Sequence, residues 1–588
     1  MAKRVVGIDL GTTNCAMSWH DLNDALAEVV PIPQLTAPGI VEERPLLPSF
    51  LYLAKEDEFP AGALDTPWEK KATYAAGEFA RGHGAKVPTR LIASAKSWLS
   101  HTGVDRTAAL LPWQAPAEVS RLSPVDASSR YLMHLAGAWK ASQNTALDSE
   151  DIILTVPASF DAAARELTMK AASQAGLHNV TLLEEPQAAL YAWLEKSGDR
   201  FRKQVNVGDV ILVVDVGGGT TDFSLIAVTE QDGALQFTRL AVGDHILLGG
   251  DNMDLTLAHH LAQEKNLDPW QFTALMHGCR EAKERLFASS RLTKVPISIP
   301  GRGSALLGST VKVELNREDV TRILVDGFMP EVPVTGLPQT ARRTGLTQLG
   351  LPYAQDPGIT RHLAAFLTRQ SRIAEGRAFV HPTAILFNGG VLKASALRER
   401  VVAVVNDWLA NDSGAPVKEL AGADLDHAVA RGAAYYGWVR HGHGIRIRGG
   451  TARSYYVGVE YAMPAVPGFA PPVKALCVAP FGMEEGTQAD IPPQEFALVV
   501  GEPTVFRFFA SSVRREDRVG DMIEDVARND ELEEVAPIET ALNGEPGKLV
   551  PVNLQAAVTE VGTLELRCLE KGGPGRWMLE MNVRSREE

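Results

Sequence analysis

Cysteine is scarce in this chain: Cys15, Cys279, Cys477 and Cys568 are the only four among 588 residues. They lie far apart and form no CxxC pair, which argues against a disulfide framework or a zinc site and fits a reducing compartment. No apolar run is long enough to span a bilayer. Lys3 and Arg4 open the chain, but Asp9 interrupts the apolar run that follows, so no signal-peptide core forms. Positive charge is short too. The formal net charge is -14, whereas a general binder of nucleic acid or of acidic membrane needs clustered cations. The expectation is a soluble, cytoplasmic protein that binds neither.

What is present is an ordinary globular composition, 45% hydrophobic and 22% charged. The length is too great for one core, so two or more domains are expected. Val5–Leu10, Ile152–Val156, Val210–Val216 and Ala384–Phe387 read as buried strands. Helical patterns at Asp161–Ala175, Pro186–Leu194, Met253–Glu264, Phe272–Ser289, Ile359–Ile373 and Ala428–Val439 alternate with them. Alternation of this kind predicts an α/β architecture through residue 440. HGHGIRIRGG, residues 441–450, reads as a linker, and its two histidines lack the further ligands of a metal site. Beyond it, strand-like runs at Tyr455–Tyr461, Phe496–Val500, Thr504–Ala510, Leu564–Leu569 and Trp577–Val583 predict a smaller all-β, sandwich-like domain over 451–588. There Phe506 and Phe508 share one strand face, with Val505, Arg507 and Phe509 on the other. Core packing is the favoured role of these rings and a peptide groove the alternative.

One device occurs twice. VVGIDLGTTN, Val5 to Asn14, is an apolar strand that ends in Asp9 and turns through Gly11, Thr12 and Thr13. ILVVDVGGGTTDFS, Ile211 to Ser224, repeats it with Asp215, three glycines and Thr220. Glycines let backbone N–H groups close on an anion, and threonine hydroxyls add donors. An Asp at the strand end can hold magnesium through water. Two such loops face to face could clamp a polyphosphate. No GxxxxGK[ST] follows either strand, so neither is a Walker loop.

IDLGTTN, TVPASFDAAARELTMKAASQAGL, LLEEPQAAL, VVDVGGGTTDFS and LGGDNMD, in this order and spacing, resemble the ATPase domain of the seventy-kilodalton heat-shock chaperones of the DnaK type. The resemblance spans roughly the first three quarters of the chain. It implies an actin-like (ribonuclease-H-like) two-lobed ATPase domain over 1–440, with lobe one at about 1–205 plus 421–440 and lobe two at about 206–420. It implies ATP or ADP and magnesium as cofactors, potassium as a further ion, and ATP hydrolysis coupled to protein binding. Asp9 and Asp215 would flank the magnesium, and Asp222 would support it or a monovalent ion. Gly11, Thr12, Thr13 and Asn14 would wrap the phosphates from lobe one; Gly217, Gly218, Gly219 and Thr220 would do so from lobe two. Lys96, in LIASAKSWL, matches the lysine that orients the attacking water, and Glu185 matches a glutamate beside the metal. On the adenosine side the resemblance implicates Lys283, Gly389, Gly390, Lys393 and Asp426.

The adenosine side also departs from the family. A glutamate three positions before Lys283 is replaced by Arg280, a downstream serine by Phe287, and the usual serine and arginine of the FNGG loop by Val391 and Lys393. A guanidinium stacks better on a base than an ammonium does. Val332–Glu375 has no counterpart in the common chaperones, the acidic-aliphatic linker is replaced by HGHGIRIRGG, and no helical lid is expected. The implied partners are unfolded polypeptide or one dedicated client, a co-chaperone and an exchange factor. Three other functions share parts of this pattern: a nucleotide-sensing switch that binds one partner, a small-molecule kinase, and an actin-like filament. The Lys96 match and the β domain argue against the kinase, and the β domain against the filament.

Overall fold

The computed structural model describes residues 4–582 apart from 24–25, 232–233, 264, 300–309, 340–349, 371–375, 421–423, 444–446, 449–450, 452, 461–471, 484–485, 495, 512, 515, 525, 527–528, 530 and 560–562. The chain forms two compact units. The first holds residues 1–160, 167–236 and 241–446, and the second holds 161–166, 237–240 and 447–588.

The first unit contains two sheets of matching topology. In one, the order is Val180–Glu184, Asp151–Val156, Arg4–Leu10, Asn14–Asp21, Glu28–Val29. In the other it runs Lys418–Glu419, Ala384–Asn388, Val210–Val216, Thr221–Gln231, Ala234–Val242. Each central strand pairs in parallel on one side and as a hairpin on the other. The two central strands share one burial pattern, buried from their second to their fifth residue. Strands covered on both faces read as unbroken apolar runs, which is why VVGIDL and VILVVDV stand out in the sequence.

Helix Ala428–Arg440 packs on helix Glu185–Ser197 and on the Arg4–Leu10 strand. Helix Gly250–Ala262 begins three residues before the expected Met253, for a tertiary reason. Its first N–H groups dock on the glycine loop, from Gly250 to the Gly217 carbonyl at 3.1 Å and from Asp251 to the Gly218 carbonyl at 2.7 Å. Helix Pro269–Ala288 also starts early, because Asp268 caps it by accepting from Gln271 N–H at 2.9 Å. Helix Pro124–Gln143 was not among the expected ones, yet Ser123-Pro124-Val125-Asp126 is its capping box. Glu264, Ile373, Glu375, Tyr461 and Val583, which end expected segments, lie outside the described residues. No helix among the described residues is long and apolar enough to cross a membrane.

The part of 332–375 that is described lies against the rest of this unit. Trp408 Nε1 donates to the Val332 carbonyl at 2.6 Å, and Ala354 N–H to the Leu247 carbonyl at 3.2 Å. The two linker histidines have different neighbours: His441 Nε2 lies 3.1 Å from Asp151 Oδ2, and His443 stacks on Trp438.

The second unit has two antiparallel sheets. One runs Met522–Ile523, Val473–Ala479, Ser454–Glu460, Pro503–Ser511, Glu533–Ala541. The other runs Thr487–Asp490, Lys548–Val558, Thr563–Glu570, Arg576–Asn582, with Phe496–Val500 also on Lys548–Val558. Alternate residues Val550, Val552, Leu554, Ala556 and Val558 meet Tyr455, Val457, Leu476, Val478 and Phe508 in one core, the period of two expected of inward-facing strand positions. Phe506 packs against that core, while Phe509 joins Tyr456 and Cys477 in a second cluster. Arg507 lies over the Phe509 ring and pairs with Glu534 by two bonds of 2.6 Å. These aromatics therefore pack cores.

Candidate functional site: a cleft between two matched hairpins

Asp9 and Asp215 sit at equivalent points of the two sheets. Asp9 is in register with Thr155 on the parallel side and Ala16 on the hairpin side. Asp215 is in register with Asn388 and Asp222. Asn388 Nδ2 donates to Asp215 Oδ2 at 2.7 Å, and Thr155 Oγ1 lies 3.5 Å from Asp9 Oδ1. The hairpin turns face each other so closely that a side chain on either glycine would have to displace a threonine. A Cβ on Gly218 would strike the Thr13 methyl, and one on Gly219 would lie 2.7 Å from the Thr12 methyl. Gly389, at φ +88, brings its backbone to Asp215; a Cβ there would stand 2.7 Å from Asp215 Oδ1. Only glycine fits such an approach and such a φ without strain.

A cavity of about 560 Å³ opens between these turns. Lys96 comes from the short helix Ala95–Leu99, entered through Ser94 in the left-handed region at φ 55, an uncommon backbone conformation outside glycine. Its Nζ donates to Glu185 Oε1, at the start of helix Glu185–Ser197. Burial alone would depress the Lys96 ammonium; the Glu185 and Asp9 carboxylates outweigh it and hold its pKa above the usual lysine value. The two strand-end acids shift the other way. Burial, opposed by Lys96 and reinforced by Glu185, pushes Asp9 up to about 7. Burial and Glu185 push Asp215 up to about 8. A cation placed between two such desolvated carboxylates would favour their ionised forms.

The donor set suits magnesium. Among the described residues no three His, Cys, Asp or Glu side chains converge as a ready-made metal cage. Magnesium does not need one, since it is commonly bound through one or two carboxylates, several waters and substrate phosphates. Asn388 Oδ1 is buried and has no hydrogen-bond partner among the described residues, so it can accept from a water of such a shell. Beside the glycine loop lies an ion-pair knot. Lys283 Nζ reaches Asp254 Oδ1 at 2.6 Å and the Gly250 carbonyl at 3.3 Å. Arg280 Nε donates to Asp254 Oδ2 at 2.9 Å, and its fork also binds Asp251. Lys393 pairs with Asp426.

The cavity wall includes Asp9, Gly11, Thr12, Thr13, Asn14, Lys96, Glu185, Asp215, Gly217, Gly218, Thr220, Lys283, Gly389, Gly390, Lys393 and Asp426. The fold thus brings together sixteen nominated positions from seven separate parts of the sequence. Gly219 and Asp222 are not in the wall. Gly219 faces Thr12. Asp222 accepts from Ser159 Oγ at 2.6 Å and faces His245 Nδ1 at 3.1 Å. Burial would raise its carboxyl, but His245 and the hydrogen bonds hold it below the usual range. Lys393 Nζ donates to Asp426 Oδ2. Thr155, Asn388, His245, Arg81 and Glu284 were not singled out from the sequence. The strand registers identify Thr155 and Asn388; Arg81, Glu284 and His245 carry no local signal.

This arrangement defines a class: a two-sheet fold with paired Asp–Gly hairpins around a phosphate-sized cleft. Residues 73–331 match the family model described as "Hsp70 protein". It is 31% identical over 274 residues to the chaperone protein HscA of Enterobacter sp. (strain 638), covering 45% of this chain and 38% of that protein. It is 32% identical over 303 residues to the HscA homolog of Shewanella sediminis (strain HAW-EB3), covering 49% and 42%. It is 33% identical over 273 residues to HscA of Klebsiella pneumoniae (strain 342), covering 44% and 38%. The chain thus spans about two fifths of the length of the curated relatives it matches.

Proposed function

We propose that the chain binds and hydrolyses ATP in this cleft and uses the cycle to control polypeptide binding by the β unit, as an Hsp70-type chaperone. The observation that supports it is the pairing of Asp9 and Asp215 at matching strand ends around the Lys96–Glu185 ion pair. In this reading the backbone N–H groups of residues 11–13 and 217–219 cradle the phosphates, with the Thr12, Thr13 and Thr220 hydroxyls as further donors. Asp9 and Asp215, with Asn388 beside Asp215, would hold magnesium. Bound there, magnesium supplies charge neutralisation at the phosphates. Lys96 positions the attacking water against the γ-phosphate, and Glu185 fixes the lysine. Phosphoryl transfer asks mainly for positioning and electrostatics, which these groups can supply.

Single-turnover ATP hydrolysis with magnesium tests the reading, for wild type and Lys96→Ala, with and without an unfolded apolar peptide. Hydrolysis that needs Lys96 and responds to peptide supports a coupled chaperone. Hydrolysis that needs Lys96 but ignores peptide supports a nucleotide-sensing switch for one dedicated partner. The packing of Phe506, Phe508 and Phe509 into cores favours that second reading, because it leaves those rings unavailable to a client.

A further inference from the structure

We propose that Phe287 is the surface on which the nucleotide base stacks, and that Glu284 accepts from the ribose hydroxyls; the proposal rests on the nucleotide reading above. Five cations line the cavity: Arg81, Lys96, Arg280, Lys283 and Lys393. Each already has a carboxylate of this chain. Arg81 pairs with Glu78, Lys96 with Glu185, Arg280 with Asp251 and Asp254, Lys283 with Asp254, and Lys393 with Asp426. Stacking a base on any of them means desolvating and bending an existing ion pair. A phenyl ring carries no such obligation, since every base has a π-face and stacking on an aromatic side chain is worth about 1–3 kcal/mol.

Helix Pro269–Ala288 places that ring. Arg280, Lys283, Glu284 and Phe287 follow one another at helical spacing and all line the cavity. Lys283 reaches the carbonyl of Gly250, whose own N–H bonds the glycine loop at Gly217. Phe287 lies one turn beyond Lys283, about 6 Å further along the helix axis. Glu284 stands between the two, exposed at the surface of the cavity. A carboxylate between a phosphate cradle and an aromatic platform meets the sugar, where ionised oxygens accept from vicinal hydroxyls, as an acidic residue does for ribose in dinucleotide folds. Val391, Leu397 and Val429 add apolar wall.

The test is equilibrium binding to the full chain with magnesium, using ATP, 2′,3′-dideoxyATP and inorganic tripolyphosphate. Phe287→Ala is expected to weaken ATP about tenfold and leave tripolyphosphate unchanged. Phe287→Trp, which keeps a ring, is expected to retain ATP affinity and to show indole quenching with ATP but not with tripolyphosphate. Wild type is expected to prefer ATP over the dideoxy analogue, and Glu284→Ala to lose that preference. Equal weakening of ATP and tripolyphosphate by Phe287→Ala, an unquenched tryptophan, or a preserved hydroxyl preference in Glu284→Ala would overturn the assignment while leaving nucleotide binding intact. A wild-type chain that binds none of the three ligands would overturn the nucleotide reading itself.

Discussion

Asp9 and Asp215 are structural counterparts: each is the acid at the end of a central strand, paired in parallel on one side and through a hairpin on the other. Their carboxyls share a cause as well as a position, since burial raises both, to about 7 and about 8.

The first prediction concerns pH and the empty chain. An acid whose folded pKa is raised holds its proton more tightly when folded. Its contribution to stability is full below about pH 4 and is lost as pH rises through about 7 for Asp9 and about 8 for Asp215. Thermal unfolding without metal should therefore show Tm falling from pH 5 to pH 9. Magnesium with nucleotide requires the ionised forms, so affinity for that pair should rise over the same range. Opposite or flat trends in both measurements would remove Asp9 and Asp215 as the metal's partners.

Asp215→Asn separates stability from function. The substitution replaces a buried acid with a neutral group of the same shape, so the empty chain should be about as stable as wild type at neutral pH and more stable above about pH 8, where Asp215 ionises. Magnesium-dependent nucleotide binding should weaken by an order of magnitude or more. Calorimetry with and without magnesium reads both.

Lys96→Ala should lower single-turnover hydrolysis by about 10²–10³-fold, the typical loss when one preorganised electrostatic partner is removed. Nucleotide affinity should change far less, because Lys96 is already neutralised by Glu185. Glu185→Gln should lower the rate too, by releasing the lysine. A rate unchanged in Lys96→Ala would take this residue out of the chemistry.

Gly218→Ala drives a methyl into Thr13. Overpacking of this kind costs about 1–3 kcal/mol, and here it forces the two glycine–threonine turns apart. The expected result is weaker tripolyphosphate binding, partly restored by Thr13→Ser, which removes the obstructing methyl. Additive losses in the double variant would mean that the loops do not touch.

Phe508→Ala tests the β unit. Its side chain is 1% exposed within the sandwich core, so truncation should cost about 3–5 kcal/mol. Val505→Ala on the same strand, 54% exposed, should change stability little. Denaturant unfolding of the two variants distinguishes a core from an open groove.

Local chemistry alone determined a good deal. Buried parallel strands cannot alternate polar and apolar residues, so VVGIDL and VILVVDV declare themselves. Strand ends that turn through glycine and threonine point to an anion site as an expectation. The repetition of that device announced two matched halves, and the α/β to all-β change in texture was legible at the linker. Tertiary structure decided what depends on partners far away in sequence. The resemblance offers Lys283 and Lys393 as cations on the adenosine side, but only folding brings Asp254 and Asp426 against them. Only the strand registers set Asn388 on Asp215, and only the close approach of two loops sets Gly218 and Gly219 against Thr13 and Thr12. Residue type fixes which chemistry a side chain can do; its neighbours in space fix whether it is still free to do it.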